Sequence, residues 1–294
     1  MSGYHDKILS LIGVDAKHRS DAELATLFHM MLKKSMHGLC FSAYNDHQKP
    51  GSPLTEEQIR RRIEIIKPHT KWIRSFSCTD GNELIPEIAH EYGLKTLVGA
   101  WIGKDDKINE MELTNLIKLS NGGYVDIAAV GNEVMYRGDI SEEELLLHIE
   151  RVKRETSNID VGYVDAYYQF ENRPRITDAC DVILANCYPF WEGCSLEYSL
   201  LYMKDMYARA IKVAKGKKVI ISETGWPNQG EAFHGAIPSL RNALIYFLNT
   251  QEWSINEGIE IFYFSSFDEA WKVDDEGDVG AYWGLWDRNE KTKY

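Results

Sequence analysis

Two glutamates stand where short apolar runs stop. In Lys217-Lys218-Val219-Ile220-Ile221-Ser222-Glu223-Thr224-Gly225-Trp226-Pro227 the apolar part is too short for a helix and rich in β-branching, so it reads as a buried strand. Glu223 comes at its end, and a carboxylate there needs a partner or a task. It either caps the next element or does chemistry. Gly225 and Pro227 force the chain to turn, and Trp226 sets a large aromatic beside the acid. A second run, Val125 to Met135, ends in Asn132 and Glu133 just past Gly131. If both strands are parallel members of one barrel, the two acids open on the same rim. Paired carboxylates on one rim are what glycoside hydrolysis requires: a proton donor for the leaving oxygen, and a nucleophile or base at the sugar carbon.

The elements that must position this pair follow from the rest of the pattern. Strand candidates are 38–44, 72–78, 96–102, 125–130, 161–165, 182–187, 219–222 and 260–264, with amphipathic helices between them. Thr55-Glu56-Glu57-Gln58 and Ser141-Glu142-Glu143-Glu144 are capping boxes that start two of these helices. Eight strands with intervening helices give the fold class α/β, a (β/α)8 TIM barrel over residues 37–294. The fifth unit is the thinnest, because Arg173-Pro174-Arg175-Ile176-Thr177-Asp178 leaves little room for a helix. Residues 1–36 form an amino-terminal helical extension. Its capping box, Ser20-Asp21-Ala22-Glu23, leads into Leu24, Leu27, Phe28, Met31 and Leu32 at helical spacing, a helix expected to cover the bottom or side of the barrel.

Composition narrows the function classes. A chain of 294 residues is long enough for one barrel domain. The formal charge of −12 disfavours nucleic acid and anionic membranes as partners and tolerates a neutral polymer. No apolar run approaches the roughly 18 residues of a membrane span. The first eighteen residues lack the basic region, apolar stretch and cleavage site of a signal peptide. The sequence as written is therefore expected in the cytoplasm, and in a secreted or periplasmic setting if a leader had been removed. Cys40, Cys78, Cys180, Cys187 and Cys194 contain no C-x-x-C pair, and free thiols are expected rather than a disulfide framework or a metal site.

Other chemistries lack their signatures. No G-x-G-x-x-G follows a strand, and Gly99-Ala100-Trp101-Ile102-Gly103-Lys104 is one residue short of a P-loop, with Asp105 where Ser or Thr should stand. There is no H-E-x-x-H and no G-x-S-x-G elbow. No metal and no cofactor is expected.

Ser222-Glu223-Thr224-Gly225-Trp226-Pro227 resembles the nucleophile signature of glycoside hydrolase family 17, and Gly131-Asn132-Glu133 resembles the acid/base strand of the same clan of retaining (β/α)8 enzymes. The resemblance runs from about Gly38 to Trp286. It implies Glu223 as nucleophile and Glu133 as general acid/base, acting on a β-1,3-glucan or its oligosaccharides. Arg74, which faces away from Ile73, is implied as the cation that keeps Glu223 ionised, and Tyr188 as a hydroxyl donor to the same carboxylate. Asn132 could bond the sugar 2-hydroxyl, and Asn186 closes the sixth strand beside Tyr188. Tyr44 is either a pocket wall or a packing residue. Ser265-Ser266-Phe267-Asp268-Glu269-Ala270-Trp271-Lys272 is similar to the family's F-D-E-x-W-K segment, with Glu269 and Lys272 as a polar wall and Trp271 as an apolar floor. Their alternative is an ion-paired rim around a packed tryptophan. Trp101, Trp191, Trp226 and Trp271 lie at or just past strand ends, where an indole suits the C–H face of a glucose ring. Trp72 and Trp253 are assigned to the core. Trp283 and Trp286 fall in a closing segment, residues 280–287, that looks like the family's own.

Two departures bear on the innermost sugar subsite: Ala43 stands where bacterial relatives carry proline, and Phe76 where they often carry tyrosine. The chemistry implied is a double displacement through a glucosyl-enzyme. Water as acceptor makes a hydrolase, and a second sugar makes a transglucosylase. Two readings from other classes compete: a carbohydrate-binding barrel without catalysis, and an acidic interaction protein that uses the amino-terminal helix as a dimer contact.

Overall fold

A computed structural model describes Gly13, Ala16 and residues 18–294. The segment read as free of a signal peptide lies mostly outside the described residues. Eight parallel strands close in sequential order into a barrel: β1 Met36–Cys40, β2 Thr70–Ser75, β3 Lys95–Ala100, β4 Ile127–Asn132, β5 Asp160–Ala166, β6 Val182–Asn186, β7 Lys218–Thr224 and β8 Ile261–Tyr263. Closure is made where β8 pairs with β1, Gly38 opposite Phe262 and Leu39 opposite Tyr263. All eight expected strands exist, but their ends shift. The first three stop four, three and two residues early, because the apolar run continues into rim loops that fold inward: Phe41, Ala43, Cys78 and Ile102 are buried without being in the sheet. In contrast, β4 and β7 run two residues further than expected, to Asn132 and Thr224.

The helices are α1 Asp21–Lys33, α2 Glu56–Ile66, α3 Ile85–Glu91, α4 Asp106–Asn121, α5 Val134–Arg137, α6 Glu142–Glu155, α7 Tyr167–Asn172, α8 Pro174–Ala179, α9 Leu196–Val213, α10 Leu240–Glu257 and α11 Val273–Glu276. The three capping boxes are formed at α1, α2 and α6, each with the reciprocal pair of side-chain to backbone bonds. The fifth unit holds two short helices, α7 and α8, broken at Arg173. A residue before proline is pushed out of the helical region.

Helix α1 packs on the side of the barrel: Phe28 lies 5.1 Å from Phe247 of α10 and 4.9 Å from Tyr294, ring centre to ring centre. Its carboxyl end reaches the turn that enters β2, where the His69 ring approaches the Leu32 carbonyl. Leu24, Phe28 and Leu32 therefore join the same apolar core as the barrel strands. The five cysteines are all free, four of them buried. Among the described residues no helix is long and apolar enough to cross a membrane, and no cluster of His, Cys, Asp and Glu could hold a metal ion.

Candidate active site

Local backbone geometry presents each glutamate. Gly131, at φ 87°, lets β4 bend out of register with β5, and Glu133 follows in the left-handed region at φ 53°. A Cβ on residue 131 would lie 2.6 Å from Val134 Cγ2, so only glycine serves there. At the other strand, a Cβ on residue 225 would lie 2.0 Å from the Phe264 carbonyl oxygen. Gly225 thus allows the chain to leave β7 against β8. The β6–β7 register also slips between Ala185 and Asn186, which puts Asn186 opposite Glu223. Irregular ladders of this kind re-aim side chains at barrel rims.

The two carboxylates meet through one amide. Asn186 Nδ2 donates to Glu133 Oε1 at 2.9 Å and to Glu223 Oε1 at 3.1 Å. Two such bonds from a single atom keep those oxygens no more than 6.0 Å apart. Inverting glycosidases need roughly 6.5–9.5 Å between carboxyl groups to admit a water, whereas retaining ones hold them at about 5–5.5 Å. The amide cannot turn over without loss, because its Oδ1 accepts from Ser222 Oγ at 2.8 Å.

Glu223 is buried and multiply held. Arg74 Nη1 donates to its Oε1 at 2.6 Å and to the Ser222 carbonyl at 2.8 Å, while Tyr188 Oη donates to its Oε2 at 2.8 Å. The second arm of Arg74 donates to Asn132 Oδ1 at 2.7 Å, so one guanidinium ties the two strand ends together. The Phe76 ring lies under that guanidinium, 4.3 Å from centre to Cζ. Among the described residues no cation pairs with the Glu133 carboxylate. Burial comes first and the nearby Glu223 charge second in pushing its carboxyl up to about 7, against the Asn186 hydrogen bond. One carboxyl is thus protonated near neutrality, and the other sits in a frame built for a charge.

The remaining predicted residues divide. Glu269 and Lys272 are buried and paired at 2.6 Å, with the ammonium 3.9 Å above the Phe264 ring centre. Trp271 Nε1 donates to Glu269 Oε1 at 3.1 Å, and Tyr44 meets the Trp271 ring edge-on at 6.3 Å. Trp101 is 39% exposed at the rim, with the Arg137 guanidinium 4.4 Å from its ring centre. Trp191 is half-buried between Phe233 and Trp283.

Trp226 is a correction. It is buried, packed between Phe190 and Tyr246 of α10, and its Nε1 donates to the Ile237 carbonyl at 3.1 Å. Side chains alternate along a strand, so the residue that follows the turn after Glu223 falls on the helix side and offers no face to a sugar. Trp72, expected in the core, is half-buried and stacked with His37.

Several residues at the site escaped the sequence reading. Trp283 centres an aromatic cluster with Tyr188, Phe190, Trp191 and Phe264, all within 5.7 Å. Arg137 donates to the carbonyls of Asn132 and Ile102 and pairs with Asp139 at 2.6 Å, clamping the loop that carries Glu133. Glu276, pushed up to about 7 by burial against the pull of Lys272, feels the Glu269 and Glu223 charges. Asp165 is fully buried beside Glu133. Nothing in their spacing marks them, since each arrives from a different loop or strand.

Comparison with known proteins agrees with this geometry. The BtgE/BtgC glycoside hydrolase domain matches residues 38–284. A glucan 1,3-β-glucosidase of Candida albicans is 29% identical over 263 residues, covering 79% of this chain and 83% of its own. The crystal structure of a family 17 β-1,3-glucanosyltransferase from Rhizomucor miehei superposes with a TM-score of 0.79 at 27% identity, over 89% of this chain and 96% of its own. An endo-laminarinase from Formosa, at 18% identity and a TM-score of 0.75, shares the fold. With two carboxylates bridged by one amide on a closed (β/α)8 rim and a domain match spanning the barrel, the chain belongs to glycoside hydrolase family 17.

Proposed function

We propose that this enzyme cleaves β-1,3-glucosidic bonds in laminari-oligosaccharides or β-1,3-glucan by a retaining double displacement. The observation that carries the mechanism is the Asn186 amide shared by Glu133 and Glu223, which holds their nearest oxygens closer than the carboxyl separation of inverting enzymes. Glu223, paired with Arg74 and bonded by Tyr188, attacks the anomeric carbon. Glu133 gives its proton to the departing glycosidic oxygen. The glucosyl-enzyme is then opened by an acceptor that Glu133 deprotonates. The linkage rests on the relatives: the Candida protein is named a glucan 1,3-β-glucosidase, and a Rhizomucor relative at 26% identity binds laminaritriose.

Asn132, fixed by Arg74, is assigned to the sugar 2-hydroxyl, and Glu269, Lys272 and Trp271 to the wall and floor of the innermost subsite. Tyr44, Trp101 and Trp191 supply aromatic edges along the rim. Residues 37–294 are assigned to the catalytic barrel and residues 1–36 to an extension, of which helix α1, Asp21–Lys33, packs against the barrel. A neutral glucan is the partner, consistent with the acidic surface. Five free thiols suit a reducing compartment.

Proton NMR of the purified enzyme with laminari-oligosaccharides tests the proposal. The β-anomer of the product should appear first, and Glu223→Ala should abolish turnover. Initial α-anomer would overturn the retaining mechanism. Products longer than the substrate identify a sugar acceptor, and shorter ones alone identify water. Turnover confined to β-1,4 or β-1,6 chains would overturn the linkage.

A further inference from the structure

Glu133 stands in a backbone conformation that does not hold itself. A non-glycine residue in the left-handed region costs on the order of 1–3 kcal/mol and persists only where its surroundings over-determine it. Gly131 precedes it at φ 87° and gives no steric restraint. The restraint comes from the next strand. Tyr163 and Asp165 lie two residues apart on β5, hence on one face, and both are fully buried. Tyr163 Oη accepts from Met135 N at 2.9 Å, and Asp165 Oδ2 accepts from Tyr136 N at 3.3 Å. These two amides open the helical turn that directly follows Glu133. Tyr163 Oη donates in turn to Asp165 Oδ2, and Asp165 Oδ1 accepts from Ala166 N at 2.7 Å. No cation within salt-bridge reach neutralises Asp165 among the described residues. A buried carboxylate with only neutral donors around it is costly, and here one of its oxygens is given to the acid/base turn, directly through Tyr136 N and indirectly through Tyr163.

We propose that Tyr163 and Asp165 are a positioning pair for Glu133: the pair fixes the left-handed turn that aims its carboxyl and places a second acidic group within reach of its field. The inference rests on the reading of Glu133 as general acid/base. The groups that face Glu133 come from four directions: Glu223 on β7, Asp165 and Tyr163 on β5, Arg137 on α5, and the Asn186 amide on β6. Tyr168 also lies within its field, and Arg74 stands behind Glu223. Glu223 and Asp165 favour the protonated form of Glu133, whereas Arg137 and Asn186 oppose it. Asp165→Asn preserves shape and an acceptor oxygen while removing one of the two negative groups. Tyr163→Phe removes the acceptor for Met135 N and one hydrogen bond to Asp165, and leaves the Asp165 carboxyl itself in place.

The test is the pH dependence of kcat/KM for the wild type, Asp165→Asn and Tyr163→Phe. Two donors are used: a laminari-oligosaccharide, and an aryl β-laminaribioside whose 2,4-dinitrophenolate leaves without protonation. Glu133→Ala serves as reference. A group that acts through Glu133 must matter more for the poor leaving group. The expected result is an Asp165→Asn loss of roughly tenfold on the oligosaccharide and little on the activated donor, with the basic limb moved down by about half a pH unit or more. Tyr163→Phe should lose at least fivefold more on the oligosaccharide than on the activated donor. Equal losses on both donors, or an unmoved limb in Asp165→Asn, overturn the proposal. If Asp165→Asn fails to fold, the Tyr163→Phe ratio decides alone, and a ratio near one overturns it. Should Glu133→Ala itself lose equally on both donors, the acid/base reading falls instead, and the two failures are thereby told apart.

Discussion

At the scale of single residues, the site gives two identical side chains different surroundings: Glu223 faces a guanidinium, and Glu133 does not. Glu133 is raised to about 7 first by burial and second by Glu223, so the form that donates a proton is lost as pH climbs. kcat/KM on oligosaccharides should therefore fall about tenfold per pH unit above about pH 7, read directly from initial rates. Glu133→Ala should lower kcat on oligosaccharides by roughly 10²- to 10⁴-fold, and on an activated aryl donor added azide should speed turnover with a β-glycosyl azide as product. Arg74 makes three directed bonds, to Glu223, Ser222 and Asn132. A lysine is a point charge that cannot reproduce such a fork. Arg74→Lys should keep the fold and lose about 10- to 100-fold in kcat, some 1.4–2.7 kcal/mol in the barrier.

At the scale of elements, the two catalytic strands depend on glycines that admit no substitute, while the helices tolerate change. Gly131→Ala would force a Cβ into Val134 at a positive φ, tilting the turn that carries Glu133. Its activity should fall further than that of Ser141→Ala, which removes only the cap of α6 on the barrel's outer face. The cap loss should cost about 1 kcal/mol of stability and leave kcat unchanged, as thermal melts paired with rate assays will show. The comparison separates elements that aim the carboxyls from elements that merely brace the barrel.

At the scale of the whole molecule, segments distant in sequence close the fold. Lys293 and Asp268 form a buried pair at 2.6 Å, with Gly284 N donating to the same Asp268 oxygen at 3.0 Å. Burial alone raises the Asp268 carboxyl, and Lys293 opposes that rise. Lys293→Met would leave the carboxylate uncompensated, at a cost of about 3–5 kcal/mol near neutral pH. With its folded value then raised above the unfolded one, the penalty is present above the folded pKa and fades as pH falls through it. The gap in Tm between variant and wild type should accordingly narrow in acid. Phe28→Ala tests the other closure: emptying the contact between α1, Phe247 and Tyr294 should cost roughly 3–5 kcal/mol without altering the pH profile of activity.

The sequence by itself determined the architecture and the two glutamates. Hydrophobic runs of strand length, capping boxes and glycine-bearing turns are local signals, and each part of the pattern Gly131-Asn132-Glu133 and Ser222-Glu223-Thr224-Gly225 acts over a few bonds. Asn186 was legible because it too closes a strand of the barrel, whereas the places of Arg74 and Tyr188 beside Glu223 were implied by the family resemblance. What only the tertiary structure decided are the relations between strands. The register slip opposite Asn186 lets one amide span both acids. The turn after β7 sends Trp226 outward into Phe190 and Tyr246 rather than over a sugar. Arg137, Asp165 and Trp283 gain their places from contacts across different strands and loops, which no local pattern encodes. Proton affinity belongs to the same class: a carboxyl's pKa is set by burial and neighbouring charge, and both exist only once the barrel has closed.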